Sequence, residues 1–273
     1  IWVLTIDNYL QSTGDLSPKI RCCSHNSNYF SMNCHPQIYE GKAKILYATD
    51  DPEILLAYFK DDATAFNAQK RGTIVGKGEI NCQIAAHLFQ AIEAAGIATH
   101  YIDCPAANQM RVKSVQILPI EVVVRNIAAG SLCQQTGIAL GTVLPQPLVE
   151  FFYKNDSLGD PLLTRDRLLL MELATPAQLD ILHLRALEIN TILQNFFQLC
   201  GITLIDFKIE FGVDKHQQIL LADEISPDSC RLWLTGEPDP NLRVLDKDRF
   251  RRDLGNIEDA YQQVLARVLG VRE

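Results

Sequence analysis

The chain has 273 residues, 47% hydrophobic and 21% charged, and 33 acidic against 25 basic side chains leave a net charge of −8. That balance excludes a general nucleic-acid or anionic-membrane partner, which needs a basic surface, but allows a small anionic ligand in a locally positive pocket. No apolar run approaches the roughly 20 residues that span a bilayer, no secretory leader pattern is visible, and scattered cysteines without a Cys-x-x-Cys pair fit reduced thiols in a cytoplasmic protein.

Residues 1–36 are rich in Asn, Ser and Cys, show no period, and contain the first methionine, Met32. Cys22, Cys23, His25, Cys34 and His35 match no zinc-finger spacing. Residues 1–37 are therefore expected to be a poorly ordered extension outside the fold. Residues 38–47 (IYEGKAKILY) read as strand, glycine turn, strand, with Lys42 and Lys44 pointing the same way in an extended segment. The two lysines suit a lid over phosphates; on these residues alone an exposed hairpin with solvated lysines is the simpler reading. Residues 57–59 form a short apolar run and Asp61 and Asp62 mark a turn. Residues 70–79 (KRGTIVGKGE) make a glycine-rich basic loop that can offer backbone N–H groups and cations to a phosphate, or be simply a solvated loop. Residues 79–95 are helical by the recurrence of Ile80, Ile84, Leu88 and Ile92, closed by Gly96, with His87 on the flank.

Residues 112–125 are strand-rich, with Pro119 as punctuation and residues 122–124 as a buried run. Arg125 ends it, followed by small residues, Gly130 and Ser131. A guanidinium fork and a hydroxyl at a strand end suit an anion; an arginine capping backbone carbonyls is the alternative. Residues 154–160 (KNDSLGD) form a polar loop. Thr175 caps and Pro176 opens a long helix whose inner face is Leu179, Leu182, Ala186, Ile189, Leu193, Phe196 and Phe197, closed by Gly201. At the end of the chain, residues 246–270 form an amphipathic helix on Phe250, Leu254, Ile257, Tyr261, Val264 and Leu265, with a weak point at Gly255.

Between the last two helices lies the stretch around which the chain is organised, residues 204–233 (LIDFKIEFGVDKHQQILLADEISPDSCRLW). Ile205, Phe207, Ile209 and Phe211 alternate with Asp206, Lys208 and Glu210, a period of two that makes a strand with an oily and a charged face. A second apolar run, residues 219–225, completes a hairpin. With the turn centred on Lys215 and His216, Val213 is expected opposite Gln218 and Lys208 opposite Asp223, with Glu210 diagonal to Asp223. Carboxylates on a half-buried sheet are costly unless they hold a cation, so a Mg²⁺ site is favoured over a salt-bridged surface ladder.

Five blocks, YEGKAK at 39–44, LPIEVVVRNIAAGS at 118–131, KNDSLGDP at 154–161, LIDFKIEFG at 204–212 and ADEISPDSCRLW at 222–233, resemble in content and order those of the SAICAR synthetase (phosphoribosylaminoimidazole-succinocarboxamide synthase) family of purine biosynthesis. The resemblance runs from about residue 38 to 270, and Ser229 stands where the family more often has Gly. It implies an α+β fold of two lobes related in layout to ATP-grasp enzymes, with antiparallel sheets and flanking helices: an ATP-binding lobe over 38–115 and a substrate and metal lobe over 116–273. It implies an ATP-dependent ligase joining carboxyaminoimidazole ribonucleotide (CAIR) to L-aspartate, with Mg²⁺ and with dimers common. By resemblance Lys208, Glu210 and Asp223 are catalytic; Lys42, Ala43, Lys44, Lys154 and Lys208 hold ATP; Glu210 and Asp223 hold the metal. Arg125, Ser131, Asp160, Asp228 and Arg231 match positions for CAIR and aspartate. A kinase-like enzyme without an aspartate site and a silent nucleotide-binding protein are the rival readings.

Overall fold

The computed structural model describes residues 36–65 and 69–270, so the expectations for Cys22, Cys23, His25, Cys34 and His35 lie outside the described residues. Strands β1 (Gln37–Glu40), β2 (Lys44–Ala48) and β3 (Ile54–Phe59) form an antiparallel meander around the glycine turn at 41–43. Gln37, which the sequence places in the extension, already pairs with Tyr47 in β1. Next comes a separate hairpin, β4 (Asp62–Ala65) with β5 (Lys70–Thr73). The expected loop at 70–79 is thus partly a strand and partly a helix, because helix α1 spans Lys77–Ala94 and starts two residues ahead of expectation. Asp61 explains that start: its carboxylate accepts the N–H of Gly76 at 3.0 Å and of Gly78 at 2.8 Å, satisfying donors that a helix start leaves bare. Gly78 is required there, since a Cβ would lie 2.4 Å from the Phe59 carbonyl oxygen. Strands β6 (Tyr101–Ala106) and β7 (Gln109–Lys113) complete a five-stranded sheet in the order β1-β2-β3-β7-β6.

Strand β8 (Gln116–Ile127) leads into the second sheet, followed by helix α2 (Ser131–Thr136), β9 (Val143–Tyr153), β10 (Leu162–Leu163), helix α3 (Arg165–Leu170) and helix α4 (Pro176–Leu199). Pro119 does not interrupt β8. It lies where the pairing with the next strand shifts register, so its missing N–H costs no ladder bond there. Helix α4 starts as expected: Thr175 and Gln178 form a reciprocal capping box and Pro176 occupies the first turn. Strands β11 (Ile202–Val213), β12 (Ile219–Ala222) and β13 (Cys230–Leu234) follow, giving the order β10-β9-β8-β11-β12 with β13 also on β11.

The expected hairpin exists, but its register is one residue off. Val213 faces Ile219 and Glu210 faces Ala222, because the turn holds five residues braced by the Asp214 carboxylate, which accepts the N–H of His216 and Gln218. A one-residue slip puts Asp223 on the wrong face by alternation. It is returned by its own backbone: pairing stops at Ala222, and Asp223 adopts a left-handed conformation with φ of 63°. The terminal helix is also two helices, α5 (Asp248–Arg251) and α6 (Ile257–Gly270). Asp253, Gly255 and Asn256 all have positive φ between them, a run of left-handed residues that no helix can accommodate. One continuous core joins the two sheets through α1, α4 and α6. Among the described residues no helix is long and apolar enough to cross a membrane.

Candidate active site

Strand β11 is buried on both faces. Phe207, Ile209 and Phe211 enter the core, and on the opposite face Asp206 and Glu210 are only 3% and 1% exposed. Buried carboxylates need partners. Each collects a different kind of cation, so two charge clusters lie one after the other, roughly 13 Å apart along the strand.

Glu210 anchors a lysine cluster. It pairs with Lys154 and, at 2.9 Å, with Lys208, which also reaches Glu121 at 2.8 Å and Asp223 at 4.0 Å. Lys44 pairs with Asp223, approaches Glu224 at 3.4 Å, and lies over the Phe59 ring 5.2 Å from its centre. Burial opposes the charge on Lys208, yet Glu210, Asp223 and Glu121 hold its pKa well above the ordinary lysine range. Burial likewise opposes ionisation of Asp223, and Lys44, Lys208 and Lys154 overcome it, keeping the carboxyl below the ordinary range. Lys208 and Asp223 are therefore both ionised near neutrality. His100 braces the strand behind them: its N–H donates to the Leu221 carbonyl at 2.9 Å and its ring hydrogen-bonds the Asp223 backbone.

Asp206 anchors an arginine cluster. It accepts Arg125 Nη1 at 3.0 Å and Arg231 Nη1 at 2.8 Å. Arg125 also donates to Glu150 at 2.6 Å and to Ser131 Oγ at 2.9 Å, and Arg231 to Asp248 at 2.9 Å. Arg125, Ser131, Asp206 and Arg231 line a cavity of about 360 Å³ together with Lys42, Glu121, Lys208, Asp228, Lys247 and Arg251. Gly130 makes room for Arg231, since a Cβ there would lie 2.5 Å from the guanidinium. Lys208 lines this cavity and touches Glu210, so it stands between the clusters.

The structure thus gathers Lys44, Lys154, Lys208, Glu210 and Asp223 in one cluster, and Arg125, Ser131, Asp228 and Arg231 with Lys42 around the adjoining cavity. Ala43 contributes its carbonyl to Lys60 N–H at 2.8 Å and fixes the glycine turn. Lys42 ties that turn to Asp156 at 2.5 Å. Asp160 stays out of the cavity lining; its carboxylate accepts Asn155 N–H at 2.8 Å and shapes the loop that carries Lys154. Asp228 is held by Lys77 at 2.9 Å, Tyr261 Oη at 2.8 Å and Lys247 at 3.4 Å.

Sequence reasoning singled out the basic stretch that holds Lys77, but missed Lys247, Arg251, Glu121, Glu150 and Tyr261. The first two carried a readable signal: residues 246–251 (DKDRFR) put Lys247 and Arg251 four apart, on one side of a helical turn. The others carried none, because each meets the site only through strand pairing or helix packing.

Residues 37–268 match the family model described as SAICAR synthetase. The phosphoribosylaminoimidazole-succinocarboxamide synthase of Nostoc sp. is 74% identical over 238 residues, which cover 87% of this chain and 97% of that protein. Its counterpart in Synechocystis sp. is 64% identical over 240 residues, covering 88% of this chain and 90% of that protein. The crystal structure of the Ehrlichia chaffeensis phosphoribosylaminoimidazole-succinocarboxamide synthase shares 41% identity at a TM-score of 0.83, covering 87% of this chain and 100% of that one. A SAICAR synthetase solved in complex with ADP is 41% identical at a TM-score of 0.81, covering 86% and 98%.

Proposed function

The chain belongs to the SAICAR synthetase family, and we propose that it performs the ligase step of that family by dividing the chemistry between the two clusters on β11. The reaction is the joining of CAIR to L-aspartate with ATP, giving SAICAR, ADP and phosphate. The observation that carries the reading is the strand itself: alternate buried acids, Asp206 and Glu210, gather arginines on one side and lysines on the other, with Lys208 reaching both.

The arginine cavity suits CAIR, an anionic nucleotide. Arg125 and Arg231, with Lys247 and Arg251, supply fixed cations, and Ser131 adds a hydroxyl. The lysine cluster suits ATP. Lys44, Lys154 and Lys208 already sit on carboxylates, which keeps them charged and oriented for phosphate oxygens, and Lys42 in the glycine turn, paired with Asp156, adds a cation at the adjoining cavity. A carboxylate is a poor acylating agent. Transfer of the γ-phosphoryl group to the CAIR carboxylate oxygen releases ADP and makes an acyl phosphate. The aspartate amine then forms the new C–N bond at the acyl carbon, phosphate leaves, and the nitrogen gives up a proton. The fixed cations stabilise charge that builds on the transferring phosphoryl group.

The donor set also fits Mg²⁺. Glu210 and Asp223 are hard oxygen ligands, and the ammonium groups gathered on them mark the place as one that concentrates positive charge. Among the described residues no three His, Cys, Asp or Glu groups could hold a metal by themselves, which suits an ion that takes few carboxylates and completes its shell with phosphate oxygens and water. Bound there, Mg²⁺ would neutralise phosphate charge. The test is ADP release with CAIR, with and without L-aspartate: stoichiometric SAICAR that requires aspartate supports the assignment, and sustained ADP release indifferent to aspartate sinks it in favour of a kinase-like reaction.

A further inference from the structure

Between α1 and β6, two cysteines face each other. Cys82 Sγ, in the second turn of the helix and fully buried, lies 3.9 Å from Cys104 Sγ, which is exposed on β6. That distance is a thiol contact, about 1.9 Å longer than the roughly 2.05 Å of a disulfide. The strand can supply the movement. β6 is the edge of its sheet, and its pairing with β7 shifts register between Asp103 and Ala106, so Cys104 sits in the irregular stretch. The two sulfurs also differ in character. Hydrogen bonding from Cys82, aided by Tyr101, pulls the Cys104 pKa below its ordinary value, while the same contact and burial push that of Cys82 up. Of the other described cysteines, Cys200 and Cys230 are buried; burial raises Cys200 to about 11 and Cys230 above the ordinary range. A reachable thiol with thiolate character beside a protected second thiol is the arrangement of a reacting and a resolving cysteine.

We propose that Cys104 and Cys82 form an oxidative modification site, in which a hydroperoxide oxidises Cys104 and Cys82 resolves the product into a disulfide linking β6 to α1. The Cys104 thiolate attacks the hydrogen-bearing peroxide oxygen, the O–O bond breaks, the sulfur becomes a sulfenic acid, and the departing alkoxide or hydroxide takes up the proton that the thiol lost on ionising and leaves as an alcohol or water. The Cys82 sulfur then attacks the sulfenic sulfur, the S–O bond breaks, and the Cys82 proton leaves with that oxygen as water. The two sulfurs lose two electrons and the peroxide gains them. A dithiol reverses the step by exchange.

The test is peptide mapping of the full chain after exposure to a few equivalents of hydrogen peroxide and thiol blocking. The expected result is a linked peptide pair through Cys82 and Cys104 that dithiothreitol removes, with Cys200 and Cys230 blocked only after unfolding. In Cys82→Ser, dimedone should label Cys104 and no linked pair should form; in Cys104→Ser, Cys82 should remain a free thiol. The proposal is overturned if peroxide leaves Cys104 free, if Cys104 goes to the sulfinic acid while Cys82 stays reduced, or if Cys104→Ser leaves Cys82 oxidised as in the wild type. Should the buried serine prevent folding, the wild-type map alone decides.

Discussion

Arg125 commits its guanidinium to three side chains, Glu150, Asp206 and Ser131, in a site where it is almost wholly buried. A lysine has one ammonium and cannot reproduce that fork. Arg125→Lys should therefore raise the Michaelis constant for CAIR by the equivalent of about 2–5 kcal/mol, far more than that for ATP. Steady-state kinetics with each substrate varied in turn will check this, and equal effects on both would contradict the assignment. Glu210 plays the matching part for Lys154 and Lys208. Glu210→Gln keeps shape and hydrogen bonding but removes the charge, so turnover should fall on the order of 10²-fold. Asp223→Asn should behave alike, and the double variant should be much less than additive because both act through one centre. Turnover measured against Mg²⁺ concentration is the readout; wild-type turnover and Mg²⁺ dependence in both single variants would remove the metal from this hairpin.

At the level of elements, α4 illustrates a local signal that survives folding. Thr175 accepts Gln178 N–H at 3.2 Å and Gln178 returns the bond to Thr175 N–H at 2.8 Å. Thr175→Ala should cost about 1 kcal/mol, read as a lower urea midpoint at unchanged m-value, with substrate constants unaltered. The β11–β12 hairpin illustrates the opposite. Period-two alternation assigns faces only while the strand lasts, and Asp223 lies one residue past its end, so its direction comes from a left-handed backbone. Similarly, the weak point expected at Gly255 proved to be a full break, because Asp253 and Asn256 join it in left-handed conformations.

For the whole molecule, Lys77 and Asp246 matter beyond their own neighbourhoods. Lys77, on the helix of the first sheet, makes a buried pair with Asp228 of the second-sheet segment, where Tyr261 from α6 also binds. Lys77→Met leaves that carboxylate with fewer partners and should destabilise the fold by about 3 kcal/mol, seen in chemical denaturation. Asp246 is fully buried between β13 and α5, accepting Leu232 N–H and Asp248 N–H at 2.7 Å each. Burial, then the neighbouring Asp248, push its pKa up to about 7, against those N–H bonds and Arg231. The folded state thus holds a proton that the unfolded chain releases near its ordinary 3.8. Its contribution to stability is full below that value and is lost as pH rises towards 7. Asp246→Asn cannot titrate. The stability of the wild type relative to this variant should therefore decline between pH 4 and 7, as measured by melting at a series of pH values; a flat difference would contradict the burial argument.

The sequence by itself determined the β1–β2 turn, β8 and the β11–β12 hairpin, the cores of α1 and α4 with the Thr175 cap, and the family, because periodicity, capping and ordered blocks are properties of neighbouring residues. Lys42, Lys44, Arg125, Lys208, Glu210, Asp223 and Arg231 were all legible in this way. Only the tertiary structure decided which acid meets which cation. Asp206, for example, shares the charged face of its strand with Lys208 and Glu210, yet binds Arg125 and Arg231 from two other strands. Register and a left-handed residue beyond a strand end set the face of Asp223, and the packing of α1 and α6 onto Asp228 joins residues more than 30 positions apart. Such contacts arise from the burial of whole faces, and no local spacing encodes them.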